Sequence, residues 1–313
     1  MRVCSLVPGA TEVVAALGMA DRLVGISHEC DFPATVRHAP IVVEAVIGSD
    51  AIASAEIDRR VNALVTSGRP LYRLNEQAIA DARPDLILTQ DLCHVCAVTP
   101  DQLGRAIRSL TVPPQLMTLN PSSLDDVIND VERIGEALGQ TSKGREFAQS
   151  LHQRIATVRT KAESLLTRPR VLCLEWLSPL YVAGHWIPEM VGLAGGEDVL
   201  GRMNQPSRRV TWDEIHAADP EIVVVMPCGF SVTRTVTELE TFCRSAGEWF
   251  GSLESWHKVY VVDAGSYFSR PGPRLVDGVE LLADIFSGSI SARFDGSIVR
   301  KITGPSSLVG PAS

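Results

Sequence analysis

Seven cysteines and seven histidines in a chain of 313 residues carry most of the chemistry it could perform. Cys93 and Cys96 form a Cys-x-x-Cys pair, with His94 inside it, between an apolar run ending near Gln90 and a helical pattern starting at Asp101. At a helix N-terminus the aligned peptide dipoles lower a thiol's pKa, so this pair suits soft-metal ligation or a reactive dithiol. The plainer alternative is two small, semi-buried residues without a ligand. Cys30 lies in the loop His28-Glu-Cys30, and Cys228 follows Met226 by two residues. Three or four of these thiols in one cleft, with His28 beside them, would suit zinc or a thiolate contact to a cobalt or iron centre. Cys4 and Cys173 fall inside apolar runs and Cys243 on a helical pattern, so these three are expected in the core. The odd count and the spacing do not read as a secreted disulfide framework, and reduced thiols are expected.

A second set of residues could hold a large planar ligand. Trp176, His185, Trp186, Phe230, Tyr267 and Phe268 all lie in stretches that follow apolar runs, as does Pro8. Flat macrocycles bind by stacking and burial against such rings, and the competing expectation is ordinary packing. Arg270 and Arg274 flank Pro271-Gly-Pro273. Their guanidinium groups could pair with carboxylate or amide groups of a ligand, or with Glu175 across a cleft. Trp212, Trp249 and Trp256 fall on helices or connectors and are expected to be structural. The same holds for His38, His152, His216 and His257.

These residues need elements to position them. Val3–Val7, Leu23–Ile26, Asp85–Gln90 and Gln115–Leu119 read as strands in the first half, and Val171–Leu174, Ile222–Met226 and Val259–Val262 in the second. Loops at strand carboxyl ends form the ligand crevices of open α/β sheets. Between the halves, Phe147, Leu151, Ile155, Val158, Ala162 and Leu165 recur every three or four positions, which predicts one amphipathic helix over 141–167. About 24 helical residues would span roughly 36 Å, enough to bridge two lobes. A weak internal repeat supports two lobes: Arg2-Val-Cys-Ser-Leu6 and Ala82-Arg-Pro-Asp-Leu-Ile-Leu88 are echoed by Arg170-Val-Leu-Cys-Leu174 and Ala218-Asp-Pro-Glu-Ile-Val-Val-Val225. The expected organisation is an α/β lobe over 1–140, a bridging helix, an α/β lobe over 168–287, and a disordered Gly-, Ser- and Pro-rich tail over 288–313. Thr11 is expected near the N-cap of the first helix.

The totals exclude some functions. A formal charge of -8 lacks the basic footprint that nucleic acid or an anionic membrane requires. No run of 18 apolar residues predicts a membrane-spanning helix. Neither a G-x-G-x-x-G nor a Walker motif is present, and no Ser-His-Asp set is readable from spacing. Met1-Arg2 leads straight into a strand pattern with no apolar leader before it, which predicts a cytoplasmic chain, or a periplasmic one if a leader is missing from it.

The stretches Ser5-Leu-Val-Pro-Gly-Ala-Thr-Glu12, Arg83-Pro-Asp-Leu-Ile87, Ala183-Gly-His-Trp-Ile-Pro-Glu-Met-Val-Gly-Leu-Ala-Gly-Gly-Glu197 and Tyr267-Phe-Ser-Arg-Pro-Gly-Pro-Arg274 resemble the substrate-binding proteins of vitamin B12 and iron-chelate ABC importers. The resemblance covers residues 1 to about 287. It implies two Rossmann-like lobes on a backbone helix, limited hinge motion, and a corrinoid, haem or siderophore held between aromatic residues. It also implies a permease partner. The thiol loops around Cys30 and Cys93 depart from that pattern. Two function classes follow: a binding protein for a cobalamin-like corrinoid or related metal chelate, or a cytosolic metal- or corrinoid-handling enzyme or metallochaperone using Cys30, Cys93 and Cys96.

Overall fold

Short runs of β-branched and leucine residues, most closed by a turn and followed by a helix, build a mostly parallel first sheet and a mixed second sheet. The computed structural model describes residues 1–48, 52–90, 100–108, 110–163, 167–245 and 258–303. The first sheet holds β1 (Val3–Ser5), β2 (Leu23–Ser27), β3 (Ile41–Ala45), β4 (Tyr72–Leu74), β5 (Leu86–Gln90) and β6 (Gln115–Leu119). Their order is β4-β3-β2-β1-β5-β6, with only β4 antiparallel to its neighbour. Helices α1 (Pro8–Ala16), α2 (Ser54–Thr66), α3 (Glu76–Ala82), α4 (Pro100–Arg108) and α5 (Leu124–Ala137) accompany it.

After α6 (Thr141–Glu163) the second sheet is built from β7 (Arg170–Leu177), β8 (Leu180–Val182), β9 (Glu197–Asp198), β10 (Arg208–Arg209), β11 (Ile222–Val225), β12 (Val259–Val262) and β13 (Val299–Ile302). Its order is β10-β8-β7-β11-β12-β13, with β9 beside β7. The helices here are α7 (Ile187–Leu193), α8 (Trp212–Ala218), α9 (Val232–Ser245) and α10 (Leu275–Ser287), plus one helical turn at Ala264–Tyr267. Every residue of β11 is buried, and alternate residues serve different cores: Ile222 and Val224 pack in one cluster, Val223 and Val225 in another. That is the period-two pattern of a strand covered on both faces. Cys4 and Cys173 are likewise fully buried strand residues.

Helix α6 ties the halves together. Its 23 residues rise about 35 Å. Leu151 packs in the first lobe's core, Val158 in the second's, and Ile155 against both. Arg154 on the same helix donates to Asp277 at 2.6 Å and to Glu280 at 3.0 Å, fixing α10 beside it.

Three features differ from the sequence expectations. Helix α1 begins at Pro8, with Val7 at the N-cap, because proline's fixed φ and missing N–H suit the first helical position. Thr11 therefore lies inside the helix, fully buried, its hydroxyl bonded to Val7 and Ser5. Strands β3, β4 and β8 are not expected from sequence: Glu44 and Arg73 interrupt the first two, and the third has only three residues. The stretch expected to be a disordered tail is in part structured: β13 pairs antiparallel with β12, and Phe294 is buried in the second lobe's core. The polar composition around it hides four apolar anchors, Phe294, Ile298, Val299 and Ile302. Residues 304–313 lie outside the described residues. Truncating Phe294 to alanine is expected to lower the unfolding free energy by about 3 kcal/mol, read from urea titration by circular dichroism; an unchanged midpoint would place the segment outside the cooperative fold.

Candidate ligand-binding cleft

The residues joining the lobes follow strand carboxyl ends on both sides. From the first sheet come Gly9 and Glu12 after β1, Asp31 after β2, Ile52 and Ser54 after β3, and Leu124 after β6. From the second come Arg234 and Glu238 after β11 and Arg270 to Arg274 after β12, while Leu124 meets Glu189 of α7, which follows the antiparallel β8. The carboxyl edges of the two sheets thus meet along one seam, the position at which open α/β sheets take ligands.

One side of the seam is closed by two bidentate ion pairs. Arg274 donates to Glu12 at 3.0 Å and 2.7 Å, and Arg270 to Asp31 at 2.6 Å and 3.3 Å. The backbones nearly touch there. A Cβ on Gly9 would sit 1.9 Å from the Pro271 carbonyl oxygen, and one on Gly272 would sit 2.8 Å from the Gly9 Cα. Only glycine fits either position. The Arg274 guanidinium also lies 4.3 Å from the centre of the Phe32 ring and 5.8 Å from that of Tyr267, within cation–π range. Burial pushes the Asp31 carboxyl up, but the hydrogen bond and charge of Arg270, with Arg274 behind it, outweigh this and hold it below its ordinary value. Burial pushes the Glu12 carboxyl up as well, and there Arg274 offsets the shift only in part. Glu175, the alternative partner expected for these arginines, instead accepts from Ser207 at 2.6 Å. Beside the ion pairs lies a crevice of about 420 Å³ lined by Phe32, Tyr267, Phe147, Arg154, Arg293 and Phe294.

A second part of the seam is aromatic. Trp176, half-buried at the end of β7, meets Phe230 edge-on with ring centres 5.3 Å apart, and Phe230, expected from sequence at the ligand surface, is itself buried. The Arg234 guanidinium lies 3.7 Å from the Phe230 ring centre and donates to the Ile52 carbonyl of the opposite lobe at 3.2 Å. Cys228, just before this group, is exposed. On the first lobe, His28 is half-buried, its Nδ1 3.2 Å from the Val43 carbonyl and its ring 6.2 Å from that of Tyr72. Pro8 is half-buried at the start of α1.

Other residues singled out by sequence have different surroundings. Trp186 and Phe268 are buried in the second lobe's core, where the indole N–H donates to the Phe268 carbonyl at 2.8 Å. Their rings extend apolar packing through a helix start and a helical turn, which sequence cannot tell from a loop at a cleft. His185 takes a left-handed backbone (φ 52°), its N–H donating to Gln205 at 2.6 Å, and burial lowers its pKa, so the imidazole is neutral at pH 7. Cys30 is 3% exposed and sits 3.0 Å from the Thr11 hydroxyl. Burial pushes its thiol up to about 11, so it is not a thiolate at neutral pH. Cys93 and Cys96 lie outside the described residues. Among the described residues, no group of three or more His, Cys, Asp or Glu side chains could hold a metal ion, and no helix is long and apolar enough to cross a membrane. Sequence reasoning missed Glu12, Asp31, Phe32 and Arg234, whose partners are far away in the chain.

The pattern of the periplasmic binding proteins matches residues 3–244, and the chain belongs to that family. Among curated proteins it is 24% identical over 290 residues to an uncharacterised ABC transporter substrate-binding lipoprotein of Bacillus subtilis, covering 90% of this chain and 79% of that one. It is 23% identical over 283 residues to a vitamin B12-binding protein of Vibrio parahaemolyticus, covering 89% and 86%. Among solved structures it resembles a periplasmic haem-binding protein of a Roseiflexus species, with a TM-score of 0.67, 23% identity, and coverage of 92% and 98%. It also resembles a periplasmic vitamin B12-binding protein of Vibrio cholerae, with a TM-score of 0.64, 19% identity, and coverage of 91% and 96%. The two-lobe α/β architecture expected from sequence is therefore that of the family.

The Arg274 pair yields a test with a pH signature. Arg274→Ala leaves the Glu12 carboxylate buried without its cation, which is expected to cost about 3 kcal/mol at pH 8. A carboxyl whose folded pKa is raised contributes its stability in full below the unfolded value and loses it as pH rises through the folded value. Since Glu12 already stands above 4.5, the deficit of the variant should shrink between pH 8 and pH 5. Urea unfolding at both pH values measures it, and a deficit that grows toward pH 5 would contradict the assignment.

Proposed function

We propose that this protein binds a flat metal chelate, a corrinoid or a haem, in the seam between its lobes, outside the cytoplasm, and hands it to an ABC permease. The observation that carries this reading is the meeting of the two sheets' carboxyl edges around Trp176 and Phe230, on a fold held by α6. The Trp176 ring, fixed at the end of a strand and in edge contact with buried Phe230, supplies apolar area to a planar ligand at low entropic cost. Arg234 supplies a cation beside them for carboxylate or amide groups at the ligand's rim. Half-buried His28 is the nitrogen donor proposed for an axial contact to the metal. Support also comes from relatives whose names specify vitamin B12 or haem and from a relative that is a substrate-binding lipoprotein, which favours the extracytoplasmic location over the cytoplasmic one.

Gel filtration of the reduced protein with aquocobalamin, and separately with haemin, tests the reading through the visible spectrum of the protein peak. One of the two is expected to co-elute at one per chain, with a shifted band if a protein nitrogen or thiolate replaces the axial ligand. Trp176→Ala is expected to weaken that binding at least tenfold, which corresponds to about 1.4 kcal/mol. Cys93→Ser combined with Cys96→Ser should leave the affinity unchanged. Elution of both chelates apart from the protein would overturn the proposal, and loss of binding in the double cysteine variant would move the contact to the thiols.

A further inference from the structure

Helix α2 belongs by sequence to the first lobe, yet several of its polar attachments are to the second. The first N–H groups of an α-helix have no intrahelical partner and are commonly satisfied by the side chain of the N-cap residue. The N-cap of α2 is Ala53, which has no side-chain acceptor. The acceptor comes instead from Glu238 on α9, 184 residues away: its Oε1 takes the Ser54 N–H at 2.9 Å and the Ser54 hydroxyl as well. A carboxylate at the positive end of the helix dipole adds to this bond. Ser54 is the one fully buried residue of α2, so the helix is most enclosed where it crosses to the other lobe.

Two further contacts run the same way. Arg234 donates to the Ile52 carbonyl, two residues before the helix, and Asp58 pairs with Arg209 of β10 at 3.6 Å. The helix packs on β7, whose carboxyl end carries Trp176. Within α2, Glu56 is bonded to both Arg59 and Arg60, and Asn62 to Asp58. Such pairs three and four residues apart support the helix locally, so it can move as one body.

We infer that α2 is a strap carried by the first lobe and clasped by the second across the aromatic corner of the cleft, with Glu238 as the positioning residue that latches it. Arg234 couples the latch to the site, because one guanidinium both stacks on Phe230 and holds the chain entering the strap. Separating the lobes there uncaps α2. The inference of a latch stands on these contacts alone; its role in retaining ligand rests on the reading that the cleft is the binding site.

Hydrogen–deuterium exchange of the ligand-free, full-length chain tests the latch without any ligand. In Glu238→Ala the amides at the start of α2 are expected to exchange at least tenfold faster than in wild type, while those of α5 keep their rates. Glu238→Gln, whose amide oxygen still accepts, should lie between. Unchanged exchange in α2, or equal acceleration in α2 and α5, would overturn the inference. For retention, stopped-flow dissociation of haemin or aquocobalamin, whichever binds wild type, should be at least fivefold faster in Glu238→Ala with no fall in association rate. An unchanged dissociation rate beside accelerated α2 exchange would overturn the retention role. If neither chelate binds wild type, the functional proposal fails while exchange still decides the latch.

Discussion

The contact between Arg274 and Glu12 is the constraint on which the seam depends. Both groups are largely buried, and Glu12 keeps its place only because a bidentate guanidinium meets it from the other lobe. Taking two charges out of water is costly, and such a pair adds little net stability compared with apolar packing. Its effect here is to fix one arrangement. The guanidinium must reach Glu12 while lying over Phe32 and near Tyr267, and the backbones of Gly9 and Gly272 must touch for it to do so. Helix α6, packed into both cores and tied to α10 through Arg154, holds the lobes in the same relation from behind.

Given that frame, the rest of the seam follows from strand geometry. The parallel strands β1, β2, β3, β7, β11 and β12 deliver their loops at one edge of each sheet, so joining the edges brings Phe230 and Arg234 to the chain around Ile52, with Trp176 against Phe230. The polar contacts across the seam are hydrogen bonds and ion pairs, which can break and reform without loss of packing. That suits a site that must be both closed around a ligand and able to release it.

Much of the fold was legible in the sequence, and the reasons are local. Strands β5 and β12 are buried, mostly apolar runs, and the edge strand β6, of which only Leu119 is buried, lies between clear turn signals. Helices α5 and α6 repeat their apolar residues at helical spacing over many turns. Strands β3, β4 and β13 were not legible because Glu44, Arg73 and the pair Arg300-Lys301 break their short apolar runs, and β8 was not because it has only three residues. The site was legible only in outline. Arg270 and Arg274 stood out as cations at a strand end, but their partners Asp31 and Glu12 are 239 and 262 residues away, and nothing in one sequence pairs them. Trp186 and Phe268 had the right types at the right positions yet face inward, a choice made by tertiary packing. Cys30 was read as a thiol for a metal, but its loop turns it against Thr11 in the core.

The central claim is that the seam beside Trp176 and Phe230 holds the ligand. A crystal structure of the protein with the chelate that co-elutes with it tests this directly. The account predicts the macrocycle between the lobes, in contact with Trp176 and within reach of Arg234. A macrocycle in the crevice beside Phe32 and Arg293, or on the outer face of either lobe, would contradict it.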